Sequence, residues 1–546
     1  MSEPDEFALR SIAPHFDRFH YLAANPDVGA AGVDPMAHFL HQGWREGRDP
    51  SADFDVRYYL RANPDVAACG INPFLHYVLA GRSEGRLPRR PQHAERGIIE
   101  RARTPAERAR EWQNANVGLP ALDRAALGLA LDADLPNAPC LVVSISHDDY
   151  TCHWGGVQNL IREEAGSFAA MNAIYLHLSP VQPLPMLAPR GNPEELLFRL
   201  RLQGRQLGQM RTADLAAALA SAARATGTPL LLVVHHLLGS ATEALSLLAT
   251  TSGFPPIVWT HDYFTVCPSV QLLRNDVRFC GAPPVGSTAC EVCIYGEERA
   301  ASRERIQSFF QAHRPFVIAP SETAARVWRR AGLPHRSLDI QPLVRLALHE
   351  ATPRNTTGRP IRIAHLGARY HAKGWPVFEQ LARRFRNDPR YAFFQLGMAT
   401  LSGSVSDGIR PIPVKVTADA PDAMIEAVAR HGIDVVVNWA SWPETFCYAA
   451  LEALAGGAFL LTRADTGNVA AAAEAHPASA RVIPTEEALH ALLEGEGLAA
   501  ALAAAPPQRG SLLPQGGTAA WLIRSTEGRA VSRAVLRQQI QALEAA

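Results

Sequence analysis

Several short stretches of this sequence place groups that bind anions and hydroxyls at usable spacings. In Gly367-Ala-Arg-Tyr-His-Ala-Lys373-Gly374 a glycine turn follows an apolar run. Such a turn lets backbone amides approach an anion, and Lys373 can neutralise a diphosphate. Arg369 adds a possible bidentate donor. An ordinary strand-to-helix loop with a solvated lysine has the same pattern. In Trp442-Pro-Glu444-Thr-Phe-Cys-Tyr-Ala-Ala-Leu-Glu452-Ala-Leu-Ala-Gly456-Gly457 two acids stand eight residues apart. Pro443 and Glu444 suit a helix start, and the run Phe446 to Leu454 suits a buried helix. Glu452 is then expected two turns inside that helix, among apolar neighbours. A buried acid needs a partner, which a ribose diol can supply. The amides of Thr445, Phe446 and Cys447 would form an open helix N-terminus that favours phosphate. A surface glutamate plus a helix-capping glutamate is the bland alternative.

Other candidates are weaker taken singly. Gly155-Gly156 follows an apolar run and a polar loop, which a plain turn also explains. His261 in Trp-Thr-His-Asp-Tyr ends another apolar run, as do His235 and His236; a buried structural histidine is the alternative. Ser321 in Ala-Pro-Ser-Glu fits a helix N-cap equally well. Cys267, Cys280, Cys290 and Cys293 fall within 27 residues and end in Cys-x-x-Cys. Four thiolates at such spacing suit structural zinc or an iron–sulfur cluster. A redox disulfide or free thiols fit the same residues.

These residues need elements to position them. CLVVSIS (140–146), AIYLHLS (173–179), LLLVVHH (230–236), PIVWTH (256–261) and FVIAPS (316–321) are short apolar runs separated by helical or loop stretches. IRIAHLG (361–367), YAFFQLG (391–397), IDVVVNW (433–439) and AFLLTR (458–463) form a second series. Such alternation predicts α/β architecture with two parallel sheets. The expected domains span residues 136–345, with the cysteine loop 267–293 inserted, and 346–510. A C-terminal helical segment, 511–546, follows. A charged helical linker is expected over 91–135.

Residues 1–90 repeat themselves at an offset of 38. Phe16-Asp17 returns as Phe54-Asp55, Tyr21 as Tyr59, and Asn25-Pro26-Asp27-Val28 as Asn63-Pro64-Asp65-Val66. Pro35, His38, Gly43 and Glu46-Gly47-Arg48 return as Pro73, His76, Gly81 and Glu84-Gly85-Arg86. A small helical module is expected, its aromatics forming a core, with stacking on sugar rings as the rival role for them.

The paired glutamates, the glycine loop and the closing glycines together resemble retaining glycosyltransferase family 4, which has the GT-B fold of two facing Rossmann-like domains. The resemblance covers about residues 140–500 and is more specific in the second half. It implies that Glu444 contacts the donor sugar and that Glu452 binds the ribose hydroxyls. It also implies that Lys373 and Gly367 hold the diphosphate. Gly155 and Gly156 would lie beside the donor phosphate, and His261 would face the sugar as the catalytic-site histidine. Ala368 departs from the pattern, which often has arginine there; Arg369 comes one place later. The repeat module resembles units fused to bacterial polysaccharide glycosyltransferases.

The expectation is therefore hexosyl or deoxyhexosyl transfer, with retention, from a nucleotide-sugar to a glycan or lipid-linked acceptor, without a catalytic metal. The rivals are another GT-B enzyme, such as a phosphorylase or epimerase, or a non-catalytic glycan-binding protein. Lys+Arg and Asp+Glu are both 53, so bulk charge draws the chain toward neither nucleic acid nor membrane. From the acidic N-terminus no secretory signal is expected, and no run of eighteen apolar residues occurs. A cytoplasmic location is expected, with peripheral contact at the inner membrane if the acceptor is lipid-linked.

Overall fold

The computed structural model of the protein describes residues 3–51, 54–84, 118–132, 134–181, 192–351, 358–398, 408–505 and 507–523, with isolated residues between 86 and 108. Most of the expected linker and the expected terminal helix after residue 523 lie outside the described residues.

The first large domain contains β1 (Leu141–Ile145), β2 (Ile174–Pro180), β3 (Leu197–Leu202), β4 (Arg205–Arg211), β5 (Leu230–Val234), β6 (Ile257–Trp259), a hairpin β7 (Leu273–Arg274) and β8 (Arg278–Phe279), β9 (Phe316–Ala319) and β10 (Leu338–Ile340). Its sheet runs β10-β9-β6-β5-β1-β2-β3-β4. The strands from β10 to β2 are parallel. Val143 of β1 stands beside Leu176 of β2 and Leu232 of β5. Strands buried on both faces must be apolar throughout, which is why they stand out in sequence. β3 and β4 extend the sheet antiparallel. β3 alternates half-buried and buried residues, and the apolar-run criterion misses it.

The second domain holds β11 (Val344–Ala351), β12 (Ile361–Leu366), β13 (Tyr391–Leu396), β14 (Ile409–Ile412), β15 (Val435–Val437), β16 (Phe459–Thr462), β17 (Ala480–Val482) and β18 (Gln508–Pro514). Its six-stranded parallel sheet runs β14-β13-β12-β15-β16-β17. The architecture is α/β, two Rossmann-like domains facing each other in the GT-B manner, with a helical N-terminal region. β18 is a strand where a helical segment was expected from residue 511. It pairs antiparallel with β11, Leu346 opposite Leu512. The chain then returns to the first domain, where helix Gly517–Ile523 packs on helix Gly156–Ala170. Among the described residues no helix is long and apolar enough to cross a membrane.

The N-terminal region repeats its contacts as well as its sequence. Asp17 caps helix Arg18–Ala24 and Asp55 caps helix Val56–Ala62. Tyr21 and Tyr59 are fully buried, and their hydroxyls meet His38 Nδ1 and His76 Nδ1 at 2.8 and 2.9 Å. A Cβ at Gly43 or Gly81 would fall 2.0 Å from those hydroxyls, which accounts for both glycines. The aromatics pack on one another: Phe39 on Phe74, Phe54 on Tyr59. This core is separate from those of the two large domains. If the two large domains bind a nucleotide, removal of residues 1–90 is therefore expected to leave that affinity unchanged. Titration of the truncated protein checks this, and a folded truncation that no longer binds would overturn it.

Candidate functional site

In open α/β sheets ligands bind where strand order reverses, beyond the carboxyl ends of the strands. In the second domain the chain moves outward from β12 through β13 to β14, then returns to place β15 on the other side of β12. The loops leaving β12 and β15 carry Gly367–Gly374 and Trp442–Cys447. In the first domain the reversal lies between β1 and β5. Gly155-Gly156 and His235-His236 follow those two strands. Most of the candidate residues thus gather at two switch points, while His261 follows β6, the next strand beyond β5.

Gly367 has φ +95, a conformation that disfavours any side chain. Gly374 has φ +79, and a Cβ there would lie 2.2 Å from the Trp439 carbonyl. This approach of backbones brings Lys373 against the Glu444 loop. Lys373 Nζ donates to both Glu444 carboxylate oxygens, at 2.9 and 2.8 Å. The Glu444 side chain is 1% exposed, while that of Lys373 is 37% exposed. Burial opposes the Lys373 charge, but the Glu444 carboxylate more than offsets it, so the ammonium titrates above its ordinary range. Arg369 is engaged by Gln395 Oε1 at 3.1 Å and lies over the Trp375 ring. Its Nε is buried without a partner among the described residues.

The Glu444 segment departs from the expected helix start. Glu444 N donates to Thr466 O at 3.1 Å, and Asn468 N donates to Glu444 O at 2.9 Å. Gly467, at φ +69, allows this because a Cβ would strike the Pro443 carbonyl carbon at 2.6 Å. Backbone bonded in this way cannot enter a helical ladder. The helix instead runs Tyr448–Ala455, with Asn468 Oδ1 accepting from Cys447 N at 3.3 Å. Glu452 therefore sits one turn inside it, rather than two. Among the described residues, the amides of Thr445 and Phe446 find no acceptor. Glu452, 9% exposed as a residue, also has no side-chain hydrogen-bond partner among them, and its carboxylate oxygens keep some contact with solvent. Burial, with the Asp422 charge adding, pushes it up to about 7.

The first domain closes on this segment. Thr445 Oγ1 donates to the His261 carbonyl, and Ser321 Oγ donates to Thr445 O at 2.6 Å. Ser321 also caps helix Glu322–Arg329, its side chain accepting from Ala324 N. Tyr263 OH donates to Pro443 O at 2.9 Å. Gly156 opens helix Gly156–Ala170, and a Cβ there would lie 3.5 Å from the Tyr448 ring. Gly155 is extended and needs no glycine for conformational reasons. Tyr448 OH and Glu163 Oε2 are buried without partners among the described residues. Burial pushes the Glu163 carboxyl up to about 7.

Sequence reasoning missed part of the histidine cluster. His236 Nε2 bonds Asp262 Oδ2 at 2.7 Å, and the His147 ring packs edge-on to His236. Burial first, then the neighbouring His236, lowers the His147 ring to about 4. His235 links His261 to Glu164. A signal for Glu164 existed: it lies four residues from Leu160 and from Phe168, on the apolar stripe of its helix. Asp262 and His147 had no comparable signal.

Cys267 and Cys290 are buried, Cys280 and Cys293 half-buried, and all four are free thiols. Burial pushes Cys267 up to about 12, with Cys280 and Cys293 adding. Arg299 Nη1 donates to Cys290 Sγ at 2.7 Å. Among the described residues no group of three or more His, Cys, Asp or Glu is placed to hold a metal ion. The loop reaches the second domain, where His371 Nε2 meets Val277 O at 2.8 Å.

No protein-family model and no curated protein matches the chain. Solved structures with a similar chain course include sucrose-phosphate synthase from Thermosynechococcus elongatus, at TM-score 0.43 and 14% identity, covering 74% of this chain and 94% of that one. Anabaena HepE in complex with UDP-glucose is similar at TM-score 0.38 and 13% identity, covering 74% and 100%. An α,α-trehalose-phosphate synthase from Burkholderia vietnamiensis is similar at TM-score 0.33 and 13% identity, covering 61% and 77%.

Proposed function

We propose that the protein is a glycosyltransferase. It moves a hexose or deoxyhexose from a nucleotide-sugar to a glycan or lipid-linked acceptor, with retention, in bacterial polysaccharide synthesis. The observation that carries this reading is the set of groups at the second domain's switch point. A bidentate Lys373–Glu444 pair and a largely buried Glu452 flank the amides of Thr445 and Phe446, and neither Glu452 nor those amides have a hydrogen-bond partner among the described residues. Ribose hydroxyls would supply the partner Glu452 lacks. The diphosphate would take the amides of Thr445 and Phe446 and share Lys373, releasing Glu444 toward the sugar. Gly367 leaves the backbone open to the phosphates, and Gly155 and Gly156 would face them across the cleft. Arg369 would add charge to the same loop.

In transfer the bond between the anomeric carbon and the phosphate oxygen breaks, and a bond to the acceptor oxygen forms. The acceptor proton leaves on the departing diphosphate. Lys373 and the amides stabilise the charge that develops there, which makes a catalytic metal unnecessary. Glu444 and His261 orient the sugar. The cysteine insertion would wall the acceptor side, held by zinc or an iron–sulfur cluster if the thiols close together. The setting is the cytoplasm, with lipid-linked acceptors met at the inner membrane face.

Calorimetric titration with UDP, GDP, dTDP and ADP, followed by product analysis with the sugar donors of whichever binds, tests this. A binder and a new glycosidic bond are expected; binding by none would sink the proposal. Glu444→Gln should cut turnover about 100-fold while nucleotide affinity changes little, since its contact is to the sugar. Equal loss of both would remove Glu444 from that role.

A further inference from the structure

We propose that Glu164 is a positioning residue that sets, through His235, which nitrogen of His261 carries the proton. The inference rests on the reading above only in taking His261 as a group that faces the sugar. The Glu164 and His235 side chains are both 0% exposed. Three donors converge on the Glu164 carboxylate. Tyr175 OH reaches Oε1 at 3.1 Å and the Thr518 amide reaches Oε2 at 2.8 Å. His235 Nε2 lies 3.1 Å from Oε1. An ionised carboxylate only accepts, so a neutral His235 must carry its proton on Nε2 and leave Nδ1 bare.

His235 Nδ1 lies 3.2 Å from His261 Nε2. The bare nitrogen requires a donor there, which places the His261 proton on Nε2. His261 Nδ1 is then an acceptor, and it has no partner among the described residues. His261 itself is half-buried, so this nitrogen can meet a ligand. A half-turn flip of the His261 ring would turn Cε1, not Nε2, toward His235 Nδ1 and lose this hydrogen bond. The His261 ring lies parallel to Trp259, 3° between planes and 5.1 Å between centroids, and its edge is held by His235. Trp259 Nε1 is tied in turn to Thr518 Oγ1 at 2.9 Å. The returning C-terminal segment thus anchors both the carboxylate and the ring that clamps His261. The nitrogen presented would accept a hydrogen bond from a donor hydroxyl, and the opposite tautomer would not.

Glu164→Gln keeps the shape and inverts the relay. The glutamine oxygen can accept from Thr518 N only if its amide group faces His235. His235 Nε2 must then accept, Nδ1 must donate, and the His261 proton moves to Nδ1. The test is nitrogen NMR of the full-length protein with ¹⁵N-histidine, at about pH 8, above the ordinary histidine range. His261→Gln identifies the His261 signals by their loss. Wild type should show His261 with protonated Nε2 and bare Nδ1, and Glu164→Gln the reverse. A wild-type His261 protonated on Nδ1 overturns the proposal, even if the variant fails to fold. An unchanged tautomer in a folded Glu164→Gln overturns it too. Turnover is read separately: about a 10-fold fall with unchanged nucleotide affinity is expected, the loss of one oriented hydrogen bond. A tautomer that inverts without any fall in turnover would leave the relay standing and remove His261 from the reaction.

Discussion

Replacing Lys373 with alanine is expected to cost about 3 kcal/mol of stability and to abolish sugar transfer. The stability loss follows from the asymmetry of the pair. Glu444 is 1% exposed and Lys373 37%. Removing the lysine leaves a buried carboxylate with no cation beside it, a change that costs several kcal/mol. The lower end applies because the ammonium is partly hydrated already. Urea unfolding at pH 7 measures this. The double variant Lys373→Met, Glu444→Gln should recover much of the loss, since no unpaired charge remains, but not the activity. If Lys373→Ala alone unfolds like wild type, the pair does not hold the two loops together. The catalytic loss has a separate cause, the missing charge on the leaving diphosphate, so restored stability without restored turnover separates the two roles.

Glu452→Gln should weaken nucleoside diphosphate binding by about 10- to 100-fold, the range for losing a hydrogen bond to a charged group. The pH dependence is more telling. Burial holds the Glu452 carboxyl up at about 7. A group raised above its unfolded value contributes stability that is complete below about pH 4.5 and is lost as pH rises through about 7. Between those limits wild type should gain up to about 3 kcal/mol on acidification relative to Glu452→Gln. Nucleotide binding should run the opposite way. The ribose hydroxyls donate, so the ionised form binds, and affinity should fall as pH drops below about 7. Titration at two pH values in wild type and Glu452→Gln reads this. A wild-type affinity flat across that range would take the ribose away from Glu452.

Much of the fold is legible because central parallel strands are buried on both faces. Runs such as Leu230–Val234 and Val435–Val437 announce themselves by continuous apolarity. The edge pieces do not. β3 alternates, β17 is half solvated, and β18 reads as part of a helical tail until its partner β11 is in place. Strand order is likewise invisible in a chain read linearly. That order puts the loop after β12 beside the loop after β15, 71 residues apart at Lys373 and Glu444.

The sequence by itself determined which residues could meet an anion or a diol: Lys373, Glu444, Glu452 and their glycines stand at recognisable offsets from apolar strands. It also determined the repeat of the first ninety residues, because each unit must place the same tyrosine, histidine and glycine together. Only the tertiary structure decided how those groups are held. It pinned Glu444 to Gly467 and shortened the helix, because backbone bonds to a distant loop outcompete a local ladder. It joined Glu164, His235 and Thr518 across 354 residues of sequence, because buried polar groups must be satisfied by whatever the fold brings to them.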